Sequence, residues 1–221
     1  RRLACYDLRL RLPKWLVWST LAVVILCCIS YAHIDLRVAE AFQHLDDATR
    51  GPIKLWANRI TEAGKSSYYL YTLPPLVAIL WLAGARLWAA KLGLVAASVG
   101  AAGLGVNLLK MCFGRSRPSV WWEAGSWGFD PFKVGYDFSS FPSGHSSVVG
   151  AIAMSLVFIK PRLWPAFALF AIVVGATRVL TESHYISDVI AGLFFGALVA
   201  AAFRRIWWNT NLWRKPGDLV L

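Results

Sequence analysis

Residues 163–203 read LWPAFALFAIVVGATRVLTESHYISDVIAGLFFGALVAAAF. Two apolar runs, 163–180 and 186–203, flank a short polar turn. Each is long enough to cross a bilayer as a helix, which takes about 17–25 apolar residues. Among the polar side chains beside the turn, three stand out: Arg178 near the end of the first run, His184 in the turn and Asp188 near the start of the second. A membrane hairpin with ionisable groups at one end is the simplest reading. Such groups near lipid are costly, and where they converge they suggest a functional site.

The same pattern repeats toward the N-terminus. Further apolar runs occupy residues 15–31, 68–84, 92–109 and 146–159, giving six spans in a single membrane domain over 1–221. Pro74-Pro75 is expected to kink the second. The third is rich in Ala and Gly, which suits close helix packing. Ser143 is placed to cap the fourth. Apolar residues make up 57% of the chain and charged residues 16%, too apolar for an ordinary soluble globule. Many of the 12 Trp sit beside the run ends, where amphipathic rings anchor at headgroup level. The fold class is therefore all-α, a six-span bundle. Two further stretches, with Val38, Phe42 and Leu45 and then Ile53, Trp56 and Ile60 at helical spacing, read as short helices on the outer surface of the membrane or as a loop packed on the bundle.

The net charge of +11 invites a nucleic-acid reading, but its distribution argues otherwise. With the N-terminus cytoplasmic, 13 of the 23 basic residues fall in inside segments, and each short inside loop obeys the positive-inside rule. Both termini are then cytoplasmic, and no nucleic-acid partner is expected. Cys5, Cys27, Cys28 and Cys112 have no metal-ligand or CxxC spacing; no disulfide is expected, and Cys27 and Cys28 read as packing residues. No cleavable signal peptide is expected.

On this topology the informative polar residues share one membrane face. Lys110, Arg115 and Arg117 follow the third span, Ser143 and His145 open the fourth, and Arg178, His184 and Asp188 bridge the last two. Arg guanidinium groups match phosphate oxygens, and backbone N–H groups at the Ser143-Gly144 helix start suit an anion. Asp188 stands four residues after His184, one helical turn away if the segment is helical. It would hold one ring nitrogen and leave the other free to attack, with His145 as proton donor to the leaving oxygen. Lys110, Arg117 and Arg178 would carry the charge stabilisation on which phosphoryl transfer depends.

Three motifs give this a family context. Lys110 through Pro118 fits KxxxxxxRP, residues 142–145 read PSGH, and Arg178, His184 and Asp188 fit SRxxxxxHxxxD. In this order and spacing they resemble the type 2 phosphatidic acid phosphatase superfamily. The resemblance covers about residues 64–203. It implies that His184 forms a phosphohistidine, Asp188 orients it and His145 protonates the leaving group. It also implies that Lys110, Arg117, Ser143, Gly144 and Arg178 bind phosphate, and that no metal or other cofactor is used. Thr177 stands where the motif usually has Ser.

The expected activity is hydrolysis of a lipid phosphate or diphosphate at the periplasmic face of a bacterial inner membrane. Lipid A, a polyprenyl diphosphate and phosphatidylglycerol phosphate are the substrates considered. The aromatic loop with Trp121, Trp122, Trp127, Phe129, Phe132 and Tyr136 favours the large lipid A headgroup. A lipid phosphotransferase with the same intermediate and a non-catalytic lipid-binding or transport protein are the alternatives. Arg115 has no motif role and is expected to face solvent or headgroups. Gly64-Lys65-Ser66 is not a P-loop, because Arg59 stands where the first glycine belongs; Lys65 remains a candidate headgroup contact. His33 and His44 read as interfacial, and Glu123, Asp130 and Asp137 as loop residues.

Overall fold

The computed structural model describes residues 14–209. The terminal charges used in the topology argument, including Arg1, Arg2, Arg9, Arg11, Arg214 and Lys215, and also Cys5, lie outside the described residues. The described chain is helical, with no strand: α1 (Lys14–His33), α2 (Asp35–Gln43), α3 (Asp47–Thr61), α4 (Ser66–Leu82), α5 (Arg86–Phe113), α6 (Pro118–Ala124), α7 (Gly144–Ile159), α8 (Trp164–Leu180) and α9 (Ile186–Asn209). By length and composition, four segments can cross a membrane: Lys14–His33, Arg86–Phe113, Pro161–Leu180 and Ile186–Trp207. Gly144–Ile159 is apolar but shorter.

Each apolar run in the sequence is a helix. The boundaries differ in informative ways. α5 continues past residue 109 to Phe113, so Lys110 belongs to its last turn instead of following it. Gly114 ends it in the left-handed region at φ 57°, where only glycine sits without strain. α4 runs through Pro74 and Pro75 as one helix. Ser143 caps α7 as expected, its side-chain oxygen accepting the Ser146 N–H at 3.4 Å.

The centre of the bundle is α7, which packs on α5, α8 and α9. Val95 and Val99 meet Val148 and Ile152 on one side, and Val149 and Ala153 meet Ala171 and Val174 on the other. The α7–α9 seam is a backbone-to-backbone contact. A Cβ built on Gly196 would lie 1.9 Å from the Ser147 carbonyl oxygen, and one on Gly192 would lie 2.5 Å from that of Ser143. This is small-residue packing, in which absent side chains let helix axes approach. By contrast, α1 and α4 are peripheral. α4 buries no residue, and α1 exposes Trp15, Trp18 and Leu26. Cys28 belongs to that exposed surface and is not a packing residue; Cys27, Cys28 and Cys112 are free thiols.

Residues 33–66 form α2, α3 and a 3-10 turn at Glu62–Gly64. α2 turns Asp35, Ala39 and Phe42 inward, while Trp56 and Ile60 of α3 stay exposed. α3 packs on α8. Lys54 reaches Glu182 in the turn after α8 at 2.6 Å, fastening α3 beside His184. Glu182 sits at φ 54°, strained for a residue with a side chain.

Candidate active site

The ends of α5 and α8 and the starts of α7 and α9 meet at one end of the bundle, and there the ionisable residues collect. α8 delivers the nucleophile candidate through its unsatisfied terminal carbonyls. The carbonyl of Arg178 accepts the N–H groups of both Ser183 and His184 at 3.1 Å. This folds the turn back so that His184 lies against the α9 start, with 3% of its surface exposed.

Asp188 occupies the third position of α9 and reaches back to the N–H of Tyr185 at 2.9 Å, one half of a capping box. It is completely buried. Its Oδ2 accepts a hydrogen bond from the Ser140 hydroxyl at 2.6 Å and lies 3.6 Å from His184 Nδ1. The four-residue spacing predicts that Asp188 holds that nitrogen directly. In the structure the hydrogen bond goes to the backbone carbonyl of Ser140, at 2.8 Å. A carbonyl only accepts, so Nδ1 carries the proton and the Nε2 lone pair is free. Ser140 thus bridges the pair, its carbonyl to His184 and its hydroxyl to Asp188. Nothing in its sequence context marks it, because the link is made by backbone.

Burial of His184 holds its pKa at about 3, with Asp188 pulling the other way, so the ring is neutral at pH 7. Two arginines approach from other elements. Arg117 is 5% exposed; its guanidinium donates to the carbonyls of Tyr136 (2.8 Å) and Ser183 (3.1 Å) and lies over the Tyr136 ring. Burial lowers its pKa from the ordinary value. Arg178 is also buried and donates from Nη1 to Thr61 of α3 at 3.0 Å, while its Nε has no protein partner. The Thr177 hydroxyl bonds to the Val174 carbonyl at 2.6 Å within its own helix, so the departure from Ser leaves Arg178 undisturbed.

Lys110 and His145 line a cavity of about 260 Å³ with Gly64, Lys65, Asn107 and Gly144. A second cavity of about 240 Å³, lined by Lys133 and Phe138, shares Asn107 and Lys110 with it. Lys110 Nζ lies 3.7 Å from where a Gly144 Cβ would stand. A Cβ on Gly64 would come within 2.8 Å of the His145 Cβ, so this glycine lets the 3-10 turn close on His145. Lys65 reaches this cavity and pairs with Glu62 at 2.6 Å. The expected helix-start anion site is narrower than the sequence suggests. The Ser143 N–H is taken by the Asp188 carbonyl at 3.0 Å, which leaves the N–H groups of Gly144 and His145 at the mouth. A cavity of about 720 Å³ between α4 and α5 is lined only by apolar residues and lies away from this cluster.

Arg115 overturns its expected role. It is fully buried, pairs with both Asp188 and Asp35, and donates to Ser187 Oγ at 2.6 Å. The rings of Tyr31, Trp127, Phe129 and Tyr185 surround its guanidinium, with Tyr185 at 4.4 Å. Burial alone would lower its pKa, but Asp188 and Asp35 outweigh that and raise it. Trp127 and Phe129 therefore contact an internal cation, Phe129 with its other face exposed; Tyr136 of the same loop is exposed but lies over Arg117, and Phe132 is exposed. Asp35 also escaped the sequence reading; its one signal was an acid directly behind an apolar run. Among the described residues no His, Cys, Asp and Glu cluster forms a metal site.

A sequence profile of the PAP2 superfamily matches residues 88–212, the stretch that holds Lys110, Arg115, Arg117, Ser140, Ser143, His145, Arg178, His184 and Asp188. The chain is 48% identical over 107 residues, 47% of its length, to the lipid A 1-phosphatase of Rhizobium johnstonii; the match covers 44% of that protein, less than half its length. It is 29% identical to the undecaprenyl-diphosphatase of Bacillus subtilis over 73% of this chain and 77% of that one. The crystal structure of the first transmembrane PAP2 type phosphatidylglycerolphosphate phosphatase from Bacillus subtilis superposes with a TM-score of 0.57, covering 86% of this chain and 94% of that one at 24% identity, a likeness of fold.

Proposed function

Because the chain belongs to the PAP2 superfamily, we propose that it is an integral membrane lipid phosphatase that works through a phosphohistidine on His184. The observation that carries this reading is the fixed tautomer of His184. Its Nδ1 proton is committed to the Ser140 carbonyl, and a buried, neutral ring offers Nε2 to phosphorus.

In the proposed first step, His184 Nε2 forms a bond to phosphorus as the bond to the lipid oxygen breaks. His145 gives that oxygen its proton. Asp188 stabilises the positive charge that the ring acquires. Lys110, Arg117, Arg178, the Ser143 hydroxyl and the N–H groups of Gly144 and His145 hold the phosphate oxygens. In the second step water attacks phosphorus, His145 takes its proton and the His184–phosphorus bond breaks.

The site lies at helix ends, so the lipid chains stay in the bilayer while the headgroup enters beside Asn107 and Lys110. The proposed topology has six spans, α1, α4, α5, α7, α8 and α9, with both termini cytoplasmic. α2 and α3 then lie on the outer surface, and the site faces the periplasm of a bacterial inner membrane. The basic bias of the inside segments supports it. Lipid A 1-phosphate is the favoured substrate, on the 48% identity to the Rhizobium protein.

The test is phosphate release by detergent-solubilised protein across lipid A, a polyprenyl diphosphate and phosphatidylglycerol phosphate. Release from lipid A is expected, with the polyprenyl diphosphate and phosphatidylglycerol phosphate left intact, together with a phosphohistidine trapped by acid-sensitive labelling. Full release by His184→Ala, or preference for another lipid, would overturn the mechanism or the substrate respectively.

A further inference from the structure

The cluster behind His184 holds more charge than the proposed reaction uses. Asp188 Oδ1 pairs with Arg115 Nη1, and Arg115 Nη2 pairs with Asp35 Oδ2 at 2.8 Å. All three side chains are closed from solvent. Asp35 also accepts from Ser30 Oγ at 2.8 Å and Ser187 N at 3.0 Å, and its Oδ2 contacts the Ser187 hydroxyl. The aromatic rings around Arg115 keep water away, so these charges are felt chiefly by one another.

We propose that Asp35 is a positioning residue for catalysis, which counter-charges Arg115 so that Asp188 stays aligned and keeps its negative charge available to His184. The argument is one of charge balance. Arg115 and Asp188 alone sum to zero, and a cation bonded to Asp188 would spend its field before the ring sees it. Asp35 takes up that cation from the other side and leaves the trio with one net negative charge. The ring of a phosphorylated histidine that keeps its Nδ1 proton carries one positive charge, so ring and trio together are neutral when the intermediate exists, the phosphoryl oxygens being balanced by the lysine and arginines of the site. The geometry matches this. A single guanidinium bridges two carboxylates through different nitrogens, so moving Asp35 moves Arg115 and with it the Asp188 oxygen. Ser187, one residue before Asp188, contacts both Asp35 and Arg115 and ties them to the α9 start.

The inference rests on His184 being the nucleophile, and the experiment separates the two. Phosphate release from lipid A in detergent micelles is measured for wild type, His184→Ala, Asp35→Asn, Arg115→Gln, Ser187→Ala and the Asp35→Asn/Arg115→Gln double variant, each with a thermal unfolding curve. Asp35→Asn is expected to lower kcat about 10- to 100-fold with KM changed less than about two-fold. The double variant has the same net charge as wild type. It is expected to keep about 10-fold more activity than the product of the two single losses. A merely structural anchor predicts losses that multiply and follow the unfolding temperature. Wild-type kcat in Asp35→Asn, or a double variant at or below the product, overturns the proposal while His184→Ala remains inactive. An active His184→Ala instead overturns the reading of the site. Should Asp35→Asn not fold, Ser187→Ala decides, since it keeps every charge: a kcat loss of about 3- to 10-fold at constant KM supports the proposal, and wild-type kcat overturns it.

Discussion

His184 Nδ1 lies 2.8 Å from the carbonyl oxygen of Ser140, nearer than the 3.6 Å that separates it from Asp188 Oδ2. The tautomer of the ring is therefore fixed by the main chain, and Asp188 contributes charge more than orientation. Asp188→Asn is expected to lower kcat about 10²-fold, because the tautomer survives when the charge is lost. A loss of about 10⁴-fold, the scale seen where an acid sets the tautomer, would show that Asp188 does so here. Stopped-flow phosphate release on folded variant protein makes the measurement.

Ser140 can be divided by mutation. Ser140→Ala removes the hydroxyl that donates to Asp188 at 2.6 Å and leaves the carbonyl that holds His184. The expected result is a kcat about 10- to 100-fold lower at constant KM, the worth of one hydrogen bond to a charged group. A KM increase without a kcat change would place Ser140 on the substrate side.

The pKa of His184 has a sign that stability measurements can read. Burial depresses it to about 3 in the folded protein, against an ordinary value of about 6.5. Between those values the unfolded chain binds a proton that the native one does not. His184 thus contributes stability that is present above pH of about 6.5 and lost as pH falls toward 3. The unfolding temperature of wild type is expected to drop more between pH 7 and pH 4.5 than that of His184→Gln. Parallel curves would mean that the ring is protonated in the native state.

Gly64 is predicted to matter to His145 alone. Its added methyl would stand 2.8 Å from the His145 Cβ, whereas Gly51 has nothing within 4 Å. Gly64→Ala is expected to lower kcat about 10-fold or more by displacing the proton donor, whose full contribution is of the order of 10²–10⁴. Gly51→Ala should leave kcat as it is. Equal behaviour of the two would dissociate the 3-10 turn from catalysis.

Gly196→Ala brings a methyl to 1.9 Å from the Ser147 carbonyl oxygen, a backbone atom that cannot swing aside. A loss of about 1–3 kcal/mol, the usual cost of overpacking, is the minimum expected. Unfolding of detergent-solubilised protein checks it; an unchanged curve would mean that α7 and α9 part easily.

Much of this was legible before any coordinates. The apolar runs gave the helices because length and hydropathy alone fix a span, and Ser143 gave a helix start because a hydroxyl before an apolar run caps it. Lys110, His145, Arg178, His184 and Asp188 gather at one end of the bundle, as their spacing at the run ends predicts. Arg115 was misread for the same reason: two residues before Arg117, it looked like another headgroup-facing charge. What hides it are Asp35, 80 positions earlier in the chain, and rings from three separate segments, none of which a local window sees. Ser140 was invisible for a different cause, since a carbonyl carries no sequence signature. The split of the aromatic loop, with Trp127 on Arg115 and Tyr136 exposed, likewise depends on tertiary contacts.

The glycine seam between α7 and α9 fixes more than their separation. His145 rides on one helix, with Ser143 at its cap, and Asp188 on the other, so the proposed proton donor and the proposed support of the nucleophile are mounted on one block whose halves meet backbone to backbone at Gly192 and Gly196. Such a block is expensive to retune. Adaptation to a different lipid is expected to come from the periphery, where α4 and the exposed Phe132 of the aromatic loop can change shape without moving a reacting atom. An engineer who wishes to redirect the substrate has a clear division of labour: alter the rim and leave the spine alone.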